Sequence, residues 1–370
     1  MRRTGARAVA AFVALAAALA IAASADAAKP PQAPRGFFGV HVRDLQDTDF
    51  GQVRHADAGI VRTGFNYLTL HPSVAAPEHW SHFDAYVAGT AANGMEMLPV
   101  VYGVPDWLPG GLGAILGDPV QLAWQTYLTE LVDRYGPDGD FWQLHPGLEY
   151  HPIRDWQIWN EPNSTVNWED PDGREFGRFL AGSSRVIHAA DPGARVVTAG
   201  VVSAPLNPDL QTGAAFLRDM LRLKSVRRSV DVVAVHPYAK NANEAKAAVV
   251  EAREALDRAG MDDTPIWISE IGWGSTTPGS SGRRAKRPGP STLPAERRWN
   301  MTPSKQRRML ERTFEMALKN RRSLGIERVI WYQWRDGPDD ACRWCESAGL
   351  VDADGKPKPL LRSFRRIARP

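Results

Sequence analysis

Trp156-Gln157-Ile158-Trp159-Asn160-Glu161-Pro162-Asn163 and Pro265-Ile266-Trp267-Ile268-Ser269-Glu270-Ile271-Gly272-Trp273 read alike. Each is an apolar, strand-forming run that reaches a glutamate and then meets residues that do not easily continue a strand, Pro162 in the first and Gly272 and Gly274 in the second. Pro162 also biases Glu161 toward an extended backbone at the strand exit. A carboxylate inside a run built for burial is costly unless it is paired or functional. One such glutamate could be bound to a neighbouring arginine. Two, both at strand ends, are harder to dismiss as structural.

Working outward, six further runs are mostly apolar and β-branched: 37–42, 60–63, 95–102, 195–199, 231–236 and 329–334, which with 155–160 and 265–270 makes eight. Helical patterns lie between them. Residues 80–93, 120–135, 176–190, 243–259 and 304–324 repeat apolar side chains at helical spacing and stop at Gly94, Gly136-Pro137, Asp191-Pro192-Gly193, Gly260 and Gly325. Strands alternating with helices, and apolar on both faces, predict an α/β fold with a parallel sheet closed as a (β/α)8 TIM barrel, one catalytic domain over residues 26–370. An open doubly wound sheet is disfavoured because no Gly-x-Gly-x-x-Gly turn follows the first strand. Residues 275–303 break the pattern. They are rich in Gly, Ser, Pro and Arg and follow the seventh strand, so they read as a solvated basic insertion on the catalytic face, with a lid for acidic polysaccharide as the less favoured reading.

A length of 370 residues suits one such barrel. Arg2, Arg3 and Arg7, the apolar run 8–23 and Ala23-Ser24-Ala25 together read as a secretory signal over residues 1–25, cleaved after Ala25 or Ala27, rather than as a stable membrane anchor. The protein is therefore expected outside the cell. Losing those three arginines takes the formal net charge from +3 to zero, which excludes a generally basic nucleic-acid binder. Cys342 and Cys345 are the two cysteines and, in an exported chain, read as a small disulfide loop; a zinc site would need further ligands.

In a barrel the reacting groups stand at the C-terminal ends of the strands. Glu161 ends the fourth and Glu270 the seventh, and two carboxylates converging on one pocket are what glycosidic bond cleavage needs. The motifs Trp159-Asn160-Glu161-Pro162 and Trp267-Ile268-Ser269-Glu270, with this strand order, resemble the retaining β-glycosidases of glycoside hydrolase clan A, near families 39 and 5, over nearly the whole mature chain. The resemblance implies that Glu161 is the general acid/base and Glu270 the nucleophile, roughly 5–5.5 Å apart. It further implies that Asn160 binds the sugar 2-hydroxyl and that Arg62, ending the second strand, keeps Glu270 ionised, although an ordinary ion pair inside the barrel would explain Arg62 nearly as well. By the same resemblance His236 tunes Glu161, Tyr238 holds Glu270, and Trp334 offers a sugar platform; core packing is the alternative for His236 and Trp334. Trp107 and Trp168, on loops, are candidates for outer subsites. The end of the third strand, Val100-Val101-Tyr102-Gly103, lacks the histidine some clan members carry, so their subsite details do not transfer.

The expected substrate is an oligo- or polysaccharide, with no metal or other cofactor, no nucleic-acid partner and a monomeric protein. The chain has no His-Glu-x-x-His, no Gly-x-x-x-x-Gly-Lys and no Gly-x-Ser-x-Gly. Asn163-Ser164-Thr165 fits a glycosylation sequon but abuts the expected acid, and is read as chance. Two other functions share the pattern: a carbohydrate-binding barrel without catalysis, and a transglycosylase using the same residues.

Overall fold

The computed structural model describes residues 32–43, 49–203, 210–275, 300–338, 342 and 344–370. The signal reading of residues 1–25 and nearly all of the 275–303 insertion lie outside the described residues.

All eight expected strands form: β1 (Phe38–His41), β2 (Ile60–Asn66), β3 (Glu96–Tyr102), β4 (Asp155–Ile158), β5 (Arg195–Val197), β6 (Val233–His236), β7 (Ile266–Ile271) and β8 (Ile326–Trp331). They pair in parallel in the order β5-β4-β3-β2-β1-β8-β7-β6, with the two-residue strand Val201–Val202 beyond β6. The ends meet. Val197 bridges Val232, and the Thr198 amide donates to the Val232 carbonyl at 3.0 Å, so the sheet curls round into a (β/α)8 barrel. A helix follows each strand: α1 (Phe50–His55), α2 (Ser81–Ala91), α3 (Val120–Tyr135), α4 (Gly173–Ala190), α5 (Gly213–Leu221), α6 (Ala242–Arg258), α7 (Pro303–Asn320) and α8 (Pro359–Ala368). Side-chain caps start several of them: Asp172 accepts from the Glu175 amide, Asn241 from those of Asn243 and Glu244, and Thr302 from that of Lys305. Among the described residues no helix is long and apolar enough to cross a membrane.

The period of two along each strand sorts side chains into two cores. Ile60, Leu98, Val197, Val232, Ala234, Trp267 and Ile330 fill the barrel interior. The alternate positions, among them Val61, Met97, Val233, Ile268 and Val329, face the helical ring. Two residues further along β2, β6 and β7, toward the C-terminal mouth, the interior positions turn polar: Arg62 after Ile60, His236 after Ala234, Ser269 after Trp267. Packing therefore supplies the floor on which the polar groups of the mouth stand.

The strand limits differ from the sequence reading in ways that matter for the site. β4 ends at Ile158, and Trp159 and Glu161 take left-handed backbone conformations, with φ of 69° and 46°. Glu161 is therefore not extended, and the expected effect of Pro162 is overridden. Tertiary packing is the reason: by alternation Trp159 would point into the barrel, and the reversal instead sends its indole outward among Trp124, Trp168 and Phe179. Its Nε1–H donates to the Asn167 carbonyl at 2.8 Å. Left-handed non-glycine residues cost roughly 1–3 kcal/mol each and persist where surrounding contacts over-determine them. β8 stops at Trp331, three residues short of the expected end.

Candidate active site

A bulge in β7 gives the site its shape. The pairing of β7 with β8 runs Ile268 with Val329 and then Ile271 with Trp331, so β7 carries one extra residue there. Strict alternation would place Ser269 and Glu270 on opposite faces. The extra residue lets both reach the mouth, which is how bulges beside active sites re-aim a side chain. Ser269 then contacts Gln157 and His236, while Glu270 meets Arg62 and Tyr238.

Arg62 is buried and spends its guanidinium on four partners. Nε donates to Gln157 Oε1 at 2.7 Å, Nη2 to Asn160 Oδ1 at 2.8 Å, and Nη1 lies 3.0 Å from His41 Nδ1 and is ion-paired with Glu270 Oε1. An arginine can only donate, so each of these contacts fixes the orientation of its partner. Asn160 must turn its oxygen toward Arg62, which leaves its NH2 group as the donor for a ligand hydroxyl. Tyr238 donates from its hydroxyl to Glu270 Oε2 at 2.7 Å. Burial, then the charges of Glu270 and Glu161, raise the Tyr238 phenol well above its ordinary range, so it remains a donor.

Burial by itself would raise the Glu270 carboxyl. The positive potential of His236 and Arg62, then that of His41, and the Tyr238 hydrogen bond outweigh it and bring the group down from 4.5 to about 2. His41 is held down to about 3 by burial and by Arg62, and so is neutral at physiological pH. The sign of the linkage follows. A carboxyl depressed in the folded state contributes stability above its unfolded value and loses it as pH falls through the folded one. The difference in unfolding free energy between the wild type and Glu270→Gln should therefore be constant above about pH 4.5 and drift by about 3 kcal/mol, against the wild type, between there and pH 2. Urea titrations over that range measure it; a difference independent of pH would show that Glu270 is not depressed.

Glu161 faces Glu270 across His236. His236 is fully buried; its Nδ1 lies 2.7 Å from Glu161 Oε1 and 3.7 Å from Glu270 Oε2, and its Nε2 lies 3.0 Å from Ser269 Oγ. Asn167 Nδ2 approaches the other Glu161 oxygen at 3.4 Å. One donor atom each from Glu161, His236 and Glu270 falls within 4.8 Å of the others. Among the described residues these three are also the one group able to approach a metal ion, but Arg62 and Tyr238 already occupy the two Glu270 oxygens, and an arginine against a ligating carboxylate disfavours a cation. Gly200 makes room for the imidazole, since a Cβ there would sit 2.0 Å from His236 Nε2. Gly200→Ala must displace the ring, and a shift of that size in a catalytic assembly costs about 100-fold in kcat; steady-state kinetics would reveal it, and unchanged kcat would show that the position of His236 is unimportant.

The structure thus gathers Arg62, Asn160, Glu161, His236, Tyr238 and Glu270 at one mouth. Two of the aromatic expectations require correction. Trp334 lies beyond β8 and is 2% exposed, packed in the core between strands and helices; Tyr332, two residues after the interior Ile330, is the aromatic at the strand end, stacked on His41 at 5.0 Å. Trp168 is likewise 2% exposed and wedged against Trp159, Phe176 and Phe179, so neither tryptophan presents a ring face to a sugar. Trp107 is partly buried on the loop after β3, near Tyr67. Cys342 and Cys345 are disulfide-bonded, and between them Trp344 packs on Tyr238 at 5.3 Å. Asn163 is buried and exchanges two hydrogen bonds with the Val202 backbone, which removes it as a glycan acceptor.

His41, Gln157, Ser269 and Asn167 escaped the sequence reading. Gln157 and Ser269 carried a usable signal, because each is a polar residue at an interior position of an apolar strand.

The glycosyl hydrolase catalytic core family model matches residues 184–364. No curated protein is matched by the chain at the sequence level. Among solved structures, a family 39 glycoside hydrolase from Bacteroides cellulosilyticus WH2 aligns with a TM-score of 0.63 at 18% identity, over 90% of this chain and 63% of its own. A monomeric β-xylosidase from Caulobacter crescentus CB15 aligns at 0.61 and 15% identity over 91% and 68%, and xylanase 10B from Thermotoga maritima at 0.58 and 14% over 90% and 95%. The chain thus spans a little under two thirds of the length of the family 39 enzyme. Residues 184–364, a little under half of the chain, thus match the glycosyl hydrolase catalytic core, and the chain as a whole shares the (β/α)8 barrel fold of these glycoside hydrolases.

Proposed function

We propose that the protein hydrolyses β-glycosidic bonds with retention, by double displacement. The observation that carries this reading is the approach of Glu161 and Glu270 with His236 between them, donor atoms within 4.8 Å. With an oxygen of each carboxylate this close, the pair is nearer to the roughly 5–5.5 Å carboxyl spacing of retaining enzymes than to the roughly 6.5–9.5 Å of inverting ones, which supports Glu270 as a nucleophile in contact with the anomeric carbon.

Glu270 is ionised by its surroundings and attacks the anomeric carbon. The bond to the leaving oxygen breaks as Glu161 delivers its proton there, leaving a glycosyl ester on Glu270. Glu161, now a carboxylate, takes a proton from water; the water oxygen bonds to the anomeric carbon and the ester bond to Glu270 breaks. The Asn160 amide donates to the 2-hydroxyl, a contact that strengthens in the transition state. Arg62 and Tyr238 hold the Glu270 carboxylate in line throughout.

The substrate is a carbohydrate chain or a β-linked glycoside, and the names of the aligned structures recommend β-xylosides first. Residues 1–25 act as an export signal in this reading, so the secreted protein begins at Asp26 or Ala28, which N-terminal sequencing of the mature protein checks. Aryl β-glycosides of the common sugars, with xylan, mannan and uronate-containing polymers, form the test set. Release of aglycone from at least one, abolished by replacing Glu270, is the expected result; tight glycan binding with no release across the set would favour a non-catalytic barrel instead.

A further inference from the structure

We propose that a directional chain of hydrogen bonds, Arg62 to Gln157 to Ser269 to His236 to Glu161, fixes His236 as the Nδ1–H tautomer, and that Gln157 and Ser269 are positioning residues for Glu161. Each link has one direction. Arg62 Nε is a donor, so the Gln157 atom at 2.7 Å is its carbonyl oxygen. The Gln157 NH2 group is then committed to the other side, where it donates to the Thr198 carbonyl at 3.1 Å and to Ser269 Oγ at 3.2 Å. Ser269 Oγ thereby receives a proton from Gln157, and its own hydroxyl proton needs an acceptor. Buried in the barrel, it has His236 Nε2 at 3.0 Å.

If His236 Nε2 carried a proton, two donors would face Ser269 Oγ and the serine hydroxyl would be left without an acceptor in a buried site, a loss of the kind that costs about 1–3 kcal/mol. Nε2 is therefore the acceptor, Nδ1 carries the hydrogen, and that hydrogen faces Glu161 Oε1 at 2.7 Å and Glu270 Oε2 at 3.7 Å. A neutral ring in this tautomer still turns a positive edge toward both carboxylates, while Arg62 supplies the formal charge beside Glu270. The chain begins at the guanidinium that pairs with Glu270 and ends at Glu161. One arginine thus orients both carboxylates, one directly and one through three side chains.

The consequence for catalysis rests on the acid/base reading of Glu161, but the test reads a ring proton and not turnover. Nitrogen-15 histidine labelling with long-range proton–nitrogen correlation distinguishes the two tautomers, and the His236 signals are those missing from His236→Asn. The wild type alone is ambiguous, because the Glu161 carboxylate by itself would also attract an Nδ1–H. Glu161→Gln removes that bias, since an amide can either donate to Nδ1 or accept from it. The expected result is that Nδ1–H persists in Glu161→Gln and gives way to the Nε2–H form, or a mixture, in Glu161→Gln with Ser269→Ala. Loss of Nδ1–H in Glu161→Gln alone, or an Nε2–H or doubly protonated ring in the wild type at neutral pH, would overturn the proposal, whether or not the double variant folds. If the tautomer is as proposed while no glycoside is turned over, the chain stands and the hydrolase reading falls.

Discussion

Glu270→Ala is expected to lower kcat/KM toward β-glycosides by about five orders of magnitude or more, the scale on which loss of a covalent nucleophile is felt. No neighbour can take its place. The polar groups around it are Arg62, Tyr238, His236 and His41, of which Arg62 and Tyr238 are held as donors and His236 and His41 are committed to other partners. Removing the carboxylate opens a small space beside Arg62, and azide is a small anion that suits it. Azide should restore turnover of substrates with good leaving groups, attacking the anomeric carbon once from the vacated side and giving an α-glycosyl azide. Assay with and without azide, and the anomeric configuration of the adduct, check this. Turnover near the wild-type level in the variant would remove Glu270 from the chemistry.

Glu161→Ala should behave differently, because an acid/base serves two steps of unequal need. Substrates with poor leaving groups require the proton and should lose about 10²–10⁴-fold in kcat/KM. With a dinitrophenyl leaving group the first step needs no acid, so the loss of the base shows in the second step alone. The glycosyl-enzyme should accumulate, seen as a burst of aglycone followed by slow turnover. Azide should now relieve the second step and yield a β-glycosyl azide, opposite in configuration to the Glu270→Ala product. A loss of equal size for all leaving groups, with no burst, would mean that Glu161 acts only by holding His236.

Most of the barrel was legible because strand runs buried on both faces carry a strong signal. The (β/α)8 assignment came from eight such runs and the glycines that end the helices. What escaped was short or set by packing. α1 has six residues and α5 nine, too few turns to establish a period, and α8 declares itself only through Leu360, Phe364 and Ile367 near the chain end. At the site, Glu161 and Glu270 were readable as acids in apolar runs. The aromatic platform was misread at Trp334 because the eighth strand was drawn three residues too late; counting by twos from Ile330 leads to Tyr332. The left-handed turn at Trp159 and the bulge at Ser269–Glu270 had no signal in sequence. Both depend on which side of the sheet a large side chain finds room, which is a property of the assembled core.

These two irregularities do the same work on facing strands. Each breaks the alternation of its strand at the mouth, so that two successive polar side chains enter the site where a regular strand would present one. Asn160 and Glu161 enter from β4, Ser269 and Glu270 from β7. The hydrogen-bond chain from Arg62 runs through Ser269 and Glu161, which these distortions supply, and so ties a local departure from strand geometry to the orientation of the two carboxylates.

The central claim is that Glu270 forms a covalent glycosyl ester which water then displaces. The most direct measurement is the anomeric configuration of the first sugar released from a β-glycoside the protein turns over, followed by proton NMR before mutarotation. The account predicts that the β-anomer appears first and the α-anomer grows in later. An α-anomer formed first would mean a single displacement and would contradict it.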